Sequence, residues 1–469
     1  MGGQAPSAEM PAENVFSRSN LRPITPLSAE KMRESVRQTL LWLGLYLALC
    51  LSPLGLLSLR PPAARSFWLE LGVGLGMVGF AMLALQSVSI ARFRHVAPFF
   101  GSDAVLLFHR QLGVTALVFV LAHPLVLLAV EPRYLEYLDP RVNALRAIFL
   151  AAAALGVILL VALPLVRQRV ALKYEWWHLS HAVIAAGVIL VGLAHGLQVG
   201  RYVSGAGEQA LWVIVAFSGL LPIAYVRLVR PWQARRRPYR VEDVRDERGE
   251  TWSLVLTPDG HEGFKYAAGQ FAWLTLGKSP FSFEQHPFSL SGSALEPREY
   301  RITVKSLGDF TSTIGEVAPG TRAFLDGPYG AFTLGAQPLE GAVMIMGGIG
   351  VTPAIGMLRT CRDRGERRRL LLIYANVDWE QTAFRDELQT LEAELDLKVV
   401  HVLESPPEGW QGETGLITDE LLDRHLPRDG RDYHYFVCGP PPMMELVEKH
   451  LAARGVPIWN RSIERFDFV

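Results

Sequence analysis

The sequence predicts a membrane protein of three parts: a bundle of six apolar helices, an antiparallel β-barrel domain and an α/β domain with a parallel sheet. Long apolar segments fill the first half of the chain, short alternating segments follow, and strands, glycine turns and helices alternate toward the end. Half of the 469 residues are apolar and the mean hydropathy is +0.20. Such a chain is too apolar to be soluble throughout.

The apolar half begins after a polar N-terminal segment. Residues 1–35 are rich in Pro, Ser, Ala and charge, and we expect a flexible cytoplasmic tail rather than a signal peptide. Six apolar segments follow, each near the roughly 20 residues that a helix needs to cross a bilayer. They lie at about 38–59, 67–90, 103–130, 143–166, 175–198 and 209–229. Residues 36–232 are therefore predicted to form a six-helix membrane domain.

Basic residues indicate the orientation of this domain. They concentrate between segments two and three, between four and five, and after six, whereas the other loops hold fewer or balance them with acids. Because Lys and Arg favour the cytoplasmic side, both chain termini and the soluble domains are predicted to be cytoplasmic.

Four histidines form two equally spaced pairs on apolar segments, His109 with His123 and His181 with His195, each fourteen residues apart. Fourteen helical residues span about 21 Å and return to within about 40° of the same face. Two such helices side by side would bring the first histidines together near the cytoplasm and the second ones near the outer face. Because intramembrane histidine is costly, the repeat favours two bis-imidazole sites for b-type haem over hydrogen bonding between helices.

The remainder of the chain changes to a soluble pattern after the basic residues 235–237. Residues 233–336 are predicted to form a small antiparallel barrel, because segments such as 252–256 and 300–305 alternate in strand fashion. Residues 337–469 are predicted to form an α/β domain, because apolar strands there alternate with helices.

Two motifs in the α/β region suggest a nucleotide site. The turn Gly348-Ile-Gly350-Val-Thr352-Pro353 lies between an apolar strand and a helix, where glycines would let a pyrophosphate approach the helix N-terminus. Alone, this turn also fits an ordinary strand–helix connection. Cys438 and Gly439 follow another apolar strand and would lie at the same sheet edge, where ligands collect, although a lone Cys438 also fits a buried structural residue.

The barrel region carries two further motifs. One is an extended stretch with hydroxyls spaced to face one side, and the other is a short glycine turn; simple turn chemistry is the alternative for each. They are His286-Pro287-Phe288-Ser289-Leu290-Ser291 and Gly308-Asp309-Phe310-Thr311. The three cysteines show no CxxC spacing, so neither a disulfide framework nor an iron–sulfur or zinc site is expected.

Together these motifs resemble the NADPH oxidase and ferric reductase family in a compact bacterial form. The membrane half resembles the ferric reductase domain, and the soluble half resembles the ferredoxin–NADP reductase type of flavoprotein. The resemblance covers the chain from about residue 38 to its end. It implies an NAD(P)H oxidase or ferric reductase of the bacterial inner membrane that holds FAD and two haem b, with no nucleic-acid partner.

The resemblance also implies roles for residues. The haem ligands are His109, His123, His181 and His195. The flavin motif is His286, Pro287, Phe288, Ser289 and the neighbouring Ser291, with Ser289 near the isoalloxazine N5 and Thr311 holding the FAD pyrophosphate. The nicotinamide nucleotide turn is Gly348, Gly350, Thr352 and Pro353, with Cys438 and Gly439 near the nicotinamide ring. A C-terminal aromatic ring, Phe466 or Phe468, would cover the flavin.

Two properties stay open in the sequence. In the family, an arginine that binds the adenosine 2′-phosphate often follows the strand that ends at Tyr374 in this chain. This arginine is absent here, so the preference for NADPH or NADH is undecided. Arg362, Arg364 and the arginines 367–369 are the candidates to substitute for it. The acceptor is the other: oxygen giving superoxide is favoured, and a ferric chelate or a partner protein are alternatives. A haem anchor without catalysis and a quinone-linked cytochrome are disfavoured, because the nucleotide motifs are intact. The oligomeric state is not indicated.

Overall fold

The computed structural model describes residues 27–59, 63, 65–89, 91, 101–167, 169–296, 298–335 and 339–465. Most of the predicted N-terminal tail lies outside these ranges, as do Phe466 and Phe468. Residues 27–35 are an exception, because the first helix already begins at Leu27. This stretch is rich in Ala, Glu, Met, Lys and Arg, which all favour helix, and it extends the apolar helix rather than preceding it.

The predicted six-helix membrane domain is confirmed. Within the described residues, six helices are long and apolar enough to cross a membrane. Their bounds are α1 (Leu27–Leu59), α2 (Phe67–Ser89), α3 (Gly101–Val130), α4 (Pro140–Val166), α5 (Tyr174–Val199) and α6 (Ala206–Ala224). Most of them expose large apolar side chains such as Leu45, Leu125 and Leu155, as lipid-facing helices do.

Helix α2 is the buried centre of this bundle. Its Ala81 and Ala84 are fully buried, and glycines let α3 pack closely against it. A Cβ on Gly79 would lie 2.8 Å from Cγ2 of Val120, closer than side chains pack. Small residues at such a contact are typical of helix packing in membranes.

Helix α6 runs into the soluble part without a flexible linker. A π-helical turn (Tyr225–Val229) leads directly into α7 (Arg230–Arg235), and the first strand begins at Pro238. Arg230 forms a 3.0 Å ion pair with Asp326 of the barrel, and both side chains are largely buried. The barrel is therefore held against the end of the last membrane helix.

The predicted antiparallel barrel is confirmed as a curled six-stranded sheet. Its strands are β1 (Pro238–Asp246), β2 (Thr251–Pro258), β3 (Phe271–Leu276), β4 (His286–Ser289), β5 (Tyr300–Lys305) and β6 (Arg322–Tyr329), in the order β4-β3-β6-β1-β2-β5. Leu290, just after β4, bridges to Ile302 of β5 and brings the two edges of the sheet together. Leu254, Leu256 and Leu274 fill the interior.

The α/β domain has a parallel sheet with a core on each face, as predicted. Its strands are β7 (Gly341–Gly347), β8 (Arg369–Asn376), β9 (Leu397–Leu403), β10 (Glu413–Thr414), β11 (Tyr433–Cys438) and β12 (Arg461–Ile463), in the order β10-β9-β8-β7-β11-β12. Its helices are α8 (Thr352–Arg364), α9 (Arg385–Glu394), α10 (Asp419–His425) and α11 (Pro441–Ala453). The strand order reverses between β7 and β11, and ligands of such sheets bind at that switch point.

Candidate functional site

The structure brings the four membrane histidines together in the two predicted pairs. The ring centroids of His109 and His181 are 6.2 Å apart, and those of His123 and His195 are 6.3 Å apart. An imidazole nitrogen ligates a metal at about 2 Å, so two rings that share one ion stand about 6 Å apart between centroids. Each pair therefore has the separation of two axial ligands of one metal centre.

Helix α2 fixes the orientation of His123. The ring Nδ1 of His123 donates a 2.8 Å hydrogen bond to the carbonyl oxygen of Gly72, which leaves Nε2 free on the opposite side of the ring. A carbonyl partner of this kind sets the tautomer and ring plane of a metal-ligating histidine. A Cβ on Gly76 would lie 2.6 Å from the same Nδ1, so glycine is needed for the ring to occupy this position.

The pair His109 and His181 has different surroundings. The backbone of Gln86 interacts with the His109 ring, although Nδ1 of His109 has no partner within hydrogen-bond distance in the described residues. Trp177 packs against His181 with its ring centroid 5.9 Å away. Aromatic and backbone contacts thus orient the two rings of this pair.

The two flavin-type motifs of the barrel meet at one place. The ring of His286, whose side chain is only 6% exposed, stacks on Phe310 at 4.2 Å between centroids. Phe288 lies nearly parallel to Phe310 at 6.2 Å. The stretch 286–289 and the turn 308–311, separate in sequence, therefore form one surface. The hydroxyl of Ser289 is buried and has no partner in the described residues.

Two hydroxyls of these motifs serve the protein itself. Ser291 is fully buried and its hydroxyl pairs with Thr303 at 2.8 Å, so it belongs to the barrel core and does not share the environment of Ser289. The hydroxyl of Thr311 accepts hydrogen bonds from the backbone N–H groups of Leu307 and Gly308, each at 2.9 Å. Thr311 therefore shapes the loop, which is the turn chemistry that the sequence left as an alternative.

The predicted nucleotide residues meet at the switch point of the parallel sheet. The turn after β7 packs on the end of β11, since a Cβ on Gly350 would lie 2.5 Å from the carbonyl oxygen of Cys438. Gly348 has a φ of +53°, a left-handed conformation that favours glycine. Thr352 and Pro353 open α8, and the sulfur of Cys438 is fully buried. Backbone N–H groups at this helix start are suited to an anion.

The arginines considered for a 2′-phosphate lie elsewhere. Helix α8 begins at the carboxyl edge of the sheet and runs back, so its end lies at the opposite edge. There Arg362 pairs with Asp363, and Arg364 and Arg368 pair with Glu366. These side chains cannot substitute for an arginine after β8. At that position, Asp378 accepts a 2.8 Å hydrogen bond from the backbone N–H of Gln381.

The start of α5 contacts both flavin-type motifs. Glu175 lies with Oε1 3.7 Å from Nε2 of His286, and Lys173 forms a 3.4 Å ion pair with Asp309. Burial lowers the pKa of His286, while the carboxylates of Glu175 and Glu284 oppose the shift. No local sequence pattern indicates these contacts, because they join segments that are more than a hundred residues apart.

Comparison with known families assigns the three parts of the chain. Residues 75–192 match a family described as ferric reductase like transmembrane component, residues 249–333 match a FAD-binding domain, and residues 344–449 match an oxidoreductase NAD-binding domain. These matches confirm the resemblance drawn from the motifs. They assign the apolar part to a membrane component and the remainder to two oxidoreductase-type domains for FAD and NAD.

Curated relatives match the soluble part. An NADH-cytochrome b5 reductase 1 of Lodderomyces elongisporus is 34% identical over 151 residues, which are 32% of this chain and 50% of the relative. That of Cryptococcus neoformans is 31% identical over 170 residues, which are 34% of this chain and 58% of the relative. The chain thus spans about half the length of these relatives.

Solved structures resemble the chain to a lesser degree. A flavohemoglobin from Malassezia yamatoensis has a TM-score of 0.46 and 20% identity, covering 72% of this chain and 91% of its own. The FAD/NAD binding domain of a nitric oxide dioxygenase from Vibrio cholerae has a TM-score of 0.43 and 26% identity, and the match covers 49% of this chain and 98% of that domain.

Proposed function

We propose that this chain, whose domains are arranged as in the NADPH oxidase and ferric reductase family, carries electrons across a membrane from NAD(P)H by way of FAD and two b-type haems. The acceptor lies on the outer side. The observation that carries the proposal is the pair of facing histidines at each of two levels, with centroid separations of 6.2 and 6.3 Å.

The surroundings of the histidine pairs favour haem over a bare metal ion. No group of three or more His, Cys, Asp or Glu side chains in the described part of the chain is arranged so that it could hold a metal ion. Two imidazoles alone do not complete the coordination of a transition metal, so the remaining ligands would come from a macrocycle between the rings. The hydrogen bond from His123 to Gly72 supports this role, since ligating histidines are held in this way.

The residues that would hold the cofactors divide among the domains. His109 with His181 would bind the inner haem, and His123 with His195 the outer one. The surface formed by residues 286–289 and 308–311 would hold FAD. When bound, FAD accepts a hydride and releases electrons singly, and each haem iron carries one electron at a time.

The α/β domain would bind the nicotinamide nucleotide. The turn with Gly348 and Gly350 would let the pyrophosphate approach backbone N–H groups at the start of α8. Cys438, at the end of the neighbouring strand, would lie beside the nicotinamide. An acidic residue, Asp378, follows β8 where an arginine would favour a 2′-phosphate, which supports NADH as the better donor. The names of the curated relatives, NADH-cytochrome b5 reductases, agree with this choice.

The histidine ligands proposed for the outer haem bear on how an electron acceptor would be reduced. With both axial positions occupied by histidine, an acceptor would be reduced at the edge of the outer haem. We favour oxygen, giving superoxide, because it needs no built binding site and the outer loops are short. A ferric chelate is the second candidate, favoured by the family description of residues 75–192. A partner protein is the third.

The location also belongs to the proposal. Six helices that are long and apolar enough to cross a membrane support an integral membrane protein, which would contact lipid. Basic residues after α6 and between α4 and α5 favour a cytoplasmic position for the soluble domains, in the inner membrane of a bacterial cell.

The experiment is anaerobic absorption spectroscopy of the protein purified in detergent and supplemented with haem and FAD. NADH or NADPH is added first, and air or a ferric chelate is added afterwards. We expect reduced b-type haem bands after NADH and their loss in air with formation of superoxide. Reoxidation by chelated iron alone would make the protein a ferric reductase. Haem that neither nucleotide reduces would contradict the electron path.

A further inference from the structure

Gln86 is a buried polar residue in the membrane domain whose amide has no partner in the described residues. It lies near the end of α2 and is 7% exposed, and neither Nε2 nor Oε1 is within hydrogen-bond distance of a group in the described part of the protein. Inside a bilayer no water is available to replace a missing partner, so an unpaired amide is costly there. Buried amides of this kind call for a ligand.

The position of Gln86 repeats the geometry of the outer site. Helices α2 and α3 pack closely, and the carbonyl of Gly72 holds His123 at the outer level. Gln86 lies fourteen residues after Gly72 on α2, and its backbone interacts with His109, which lies fourteen residues before His123 on α3. The backbone of α2 thus meets the histidines of α3 at both levels, but only the inner level adds a polar side chain.

The side chain of Gln86 extends along α3 on the histidine face. Its Nε2 lies 3.9 Å from the position that a Cβ on Gly113 would take, and apart from the neighbouring residues and backbone of α3 itself no other described atom lies within 4 Å of that position. Gly113 follows His109 by one helical turn, so both share the face that His109 turns toward His181. The amide therefore lies on the face of α3 that carries His109, one helical turn from that ring.

We propose that the carboxamide of Gln86 is a binding group for the haem held between His109 and His181, donating a hydrogen bond from Nε2 to a carboxylate on the rim of the macrocycle. This inference rests on the proposed function. A neutral donor in a low-dielectric site stabilises a carboxylate strongly, and it disperses negative charge near the iron. Gln86 thereby raises the affinity and the midpoint potential of the inner site while leaving the outer site unchanged.

The test compares Gln86→Met with Gln111→Leu. Methionine keeps the length and burial of the side chain and removes the amide. Gln111 lies near the same depth on α3, but it is exposed on the surface of the bundle, so its replacement is the matched control. Both variants are reconstituted with haem, and the two midpoint potentials are measured by redox titration at pH 8. Haem loss to a scavenger protein is measured in parallel.

For Gln86→Met we expect one of the two potentials to fall and half of the haem to dissociate about tenfold faster, since a hydrogen bond to a charged group is worth about one decade or more. The second potential and the control should match the wild type. If Gln86→Met has the same midpoint potentials and the same rate of haem loss as the wild type, the inference is overturned. A wild-type protein that binds no haem would instead overturn the proposed function. Gln86→Glu, which places a second carboxylate at the rim, should weaken the inner site further and would contradict the inference if it strengthened it.

Discussion

Glu175, in the first turn of the helix that carries His181, lies with its carboxylate Oε1 3.7 Å from Nε2 of His286 in the barrel domain. The contact joins the flavin-type motif directly to the helix of the inner histidine pair. The His286 side chain is 6% exposed and that of Glu175 is 22% exposed, so the contact is shielded from solvent. Together with the Lys173–Asp309 and Arg230–Asp326 ion pairs, it is one of the contacts between the barrel and the helical bundle.

Replacing Glu175 tests this coupling. We expect Glu175→Gln to slow electron transfer from flavin to haem several-fold, because the barrel loses a point of attachment to α5. Reduction of flavin by NADH should keep its rate, since the nucleotide residues lie in another domain. Stopped-flow absorption separates the two steps. Glu208→Gln, at the start of α6, is the control, and an equal loss of both rates in Glu175→Gln would contradict the role.

Gly76 tests the outer histidine pair. A Cβ at this position would lie 2.6 Å from Nδ1 of His123, so Gly76→Ala must displace the ring. We expect this variant to lose one of two haems. Gly44→Ala is the matched control, because a Cβ there meets nothing within 4 Å. Full haem content in Gly76→Ala, measured by pyridine haemochrome absorption, would show that His123 does not need this position.

The junction between α7 and the barrel depends on Arg230. Its ion pair with Asp326 is buried, with side chains 10% and 13% exposed, and removing the arginine leaves a buried carboxylate. We expect Arg230→Gln to lower the free energy of unfolding of the barrel by about 3 kcal/mol. Arg240→Gln breaks an exposed pair with Asp259 and should cost less than about 1 kcal/mol. Hydrogen exchange of strand β6 measures both, and equal effects would contradict the assignment.

The α/β domain should lose stability in acid through His401. Burial lowers the pKa of this residue from 6.5 to about 4. Between these values the unfolded chain binds a proton that the folded domain excludes. The stabilisation is therefore complete above about pH 6.5 and is lost as the pH falls toward 4, by an amount on the order of 3 kcal/mol.

Hydrogen exchange in β9 at pH 7.5 and pH 5 measures this loss. His401→Gln should reduce the pH dependence, because glutamine does not titrate. The ring lies 5.0 Å from Trp379, so some packing is also lost in the variant at every pH. A wild-type domain equally stable at both pH values would contradict the prediction.

Local patterns predicted most of the architecture. The fourteen-residue spacing of the histidines identifies one face of each helix, and helical geometry alone then requires the two levels. The glycine turn at 348–353 and the strand before Cys438 met at one sheet edge because parallel strands align their carboxyl ends. These features depend on short-range periodicity, which the sequence displays directly.

Other features depend on tertiary contacts that no local pattern encodes. Ser289 and Ser291 have the spacing of one strand face, yet Ser291 lies beyond the end of β4 and pairs with Thr303 inside the barrel. In the sequence, Arg230 is one of the basic residues after the sixth apolar segment that indicate the orientation of the membrane domain. In the folded chain its side chain is buried against Asp326. Glu175 and Phe310, which contact His286, likewise come from other segments of the chain.

The central claim is that two facing histidine pairs hold two haems. The most direct measurement is the haem content per chain of the wild type and of the His181→Leu and His195→Leu variants, with low-temperature electron paramagnetic resonance of each oxidised sample. We predict two low-spin haems in the wild type and the loss of a different low-spin signal in each variant. Fewer than two haems in the wild type, or variants that keep both signals, would contradict the account.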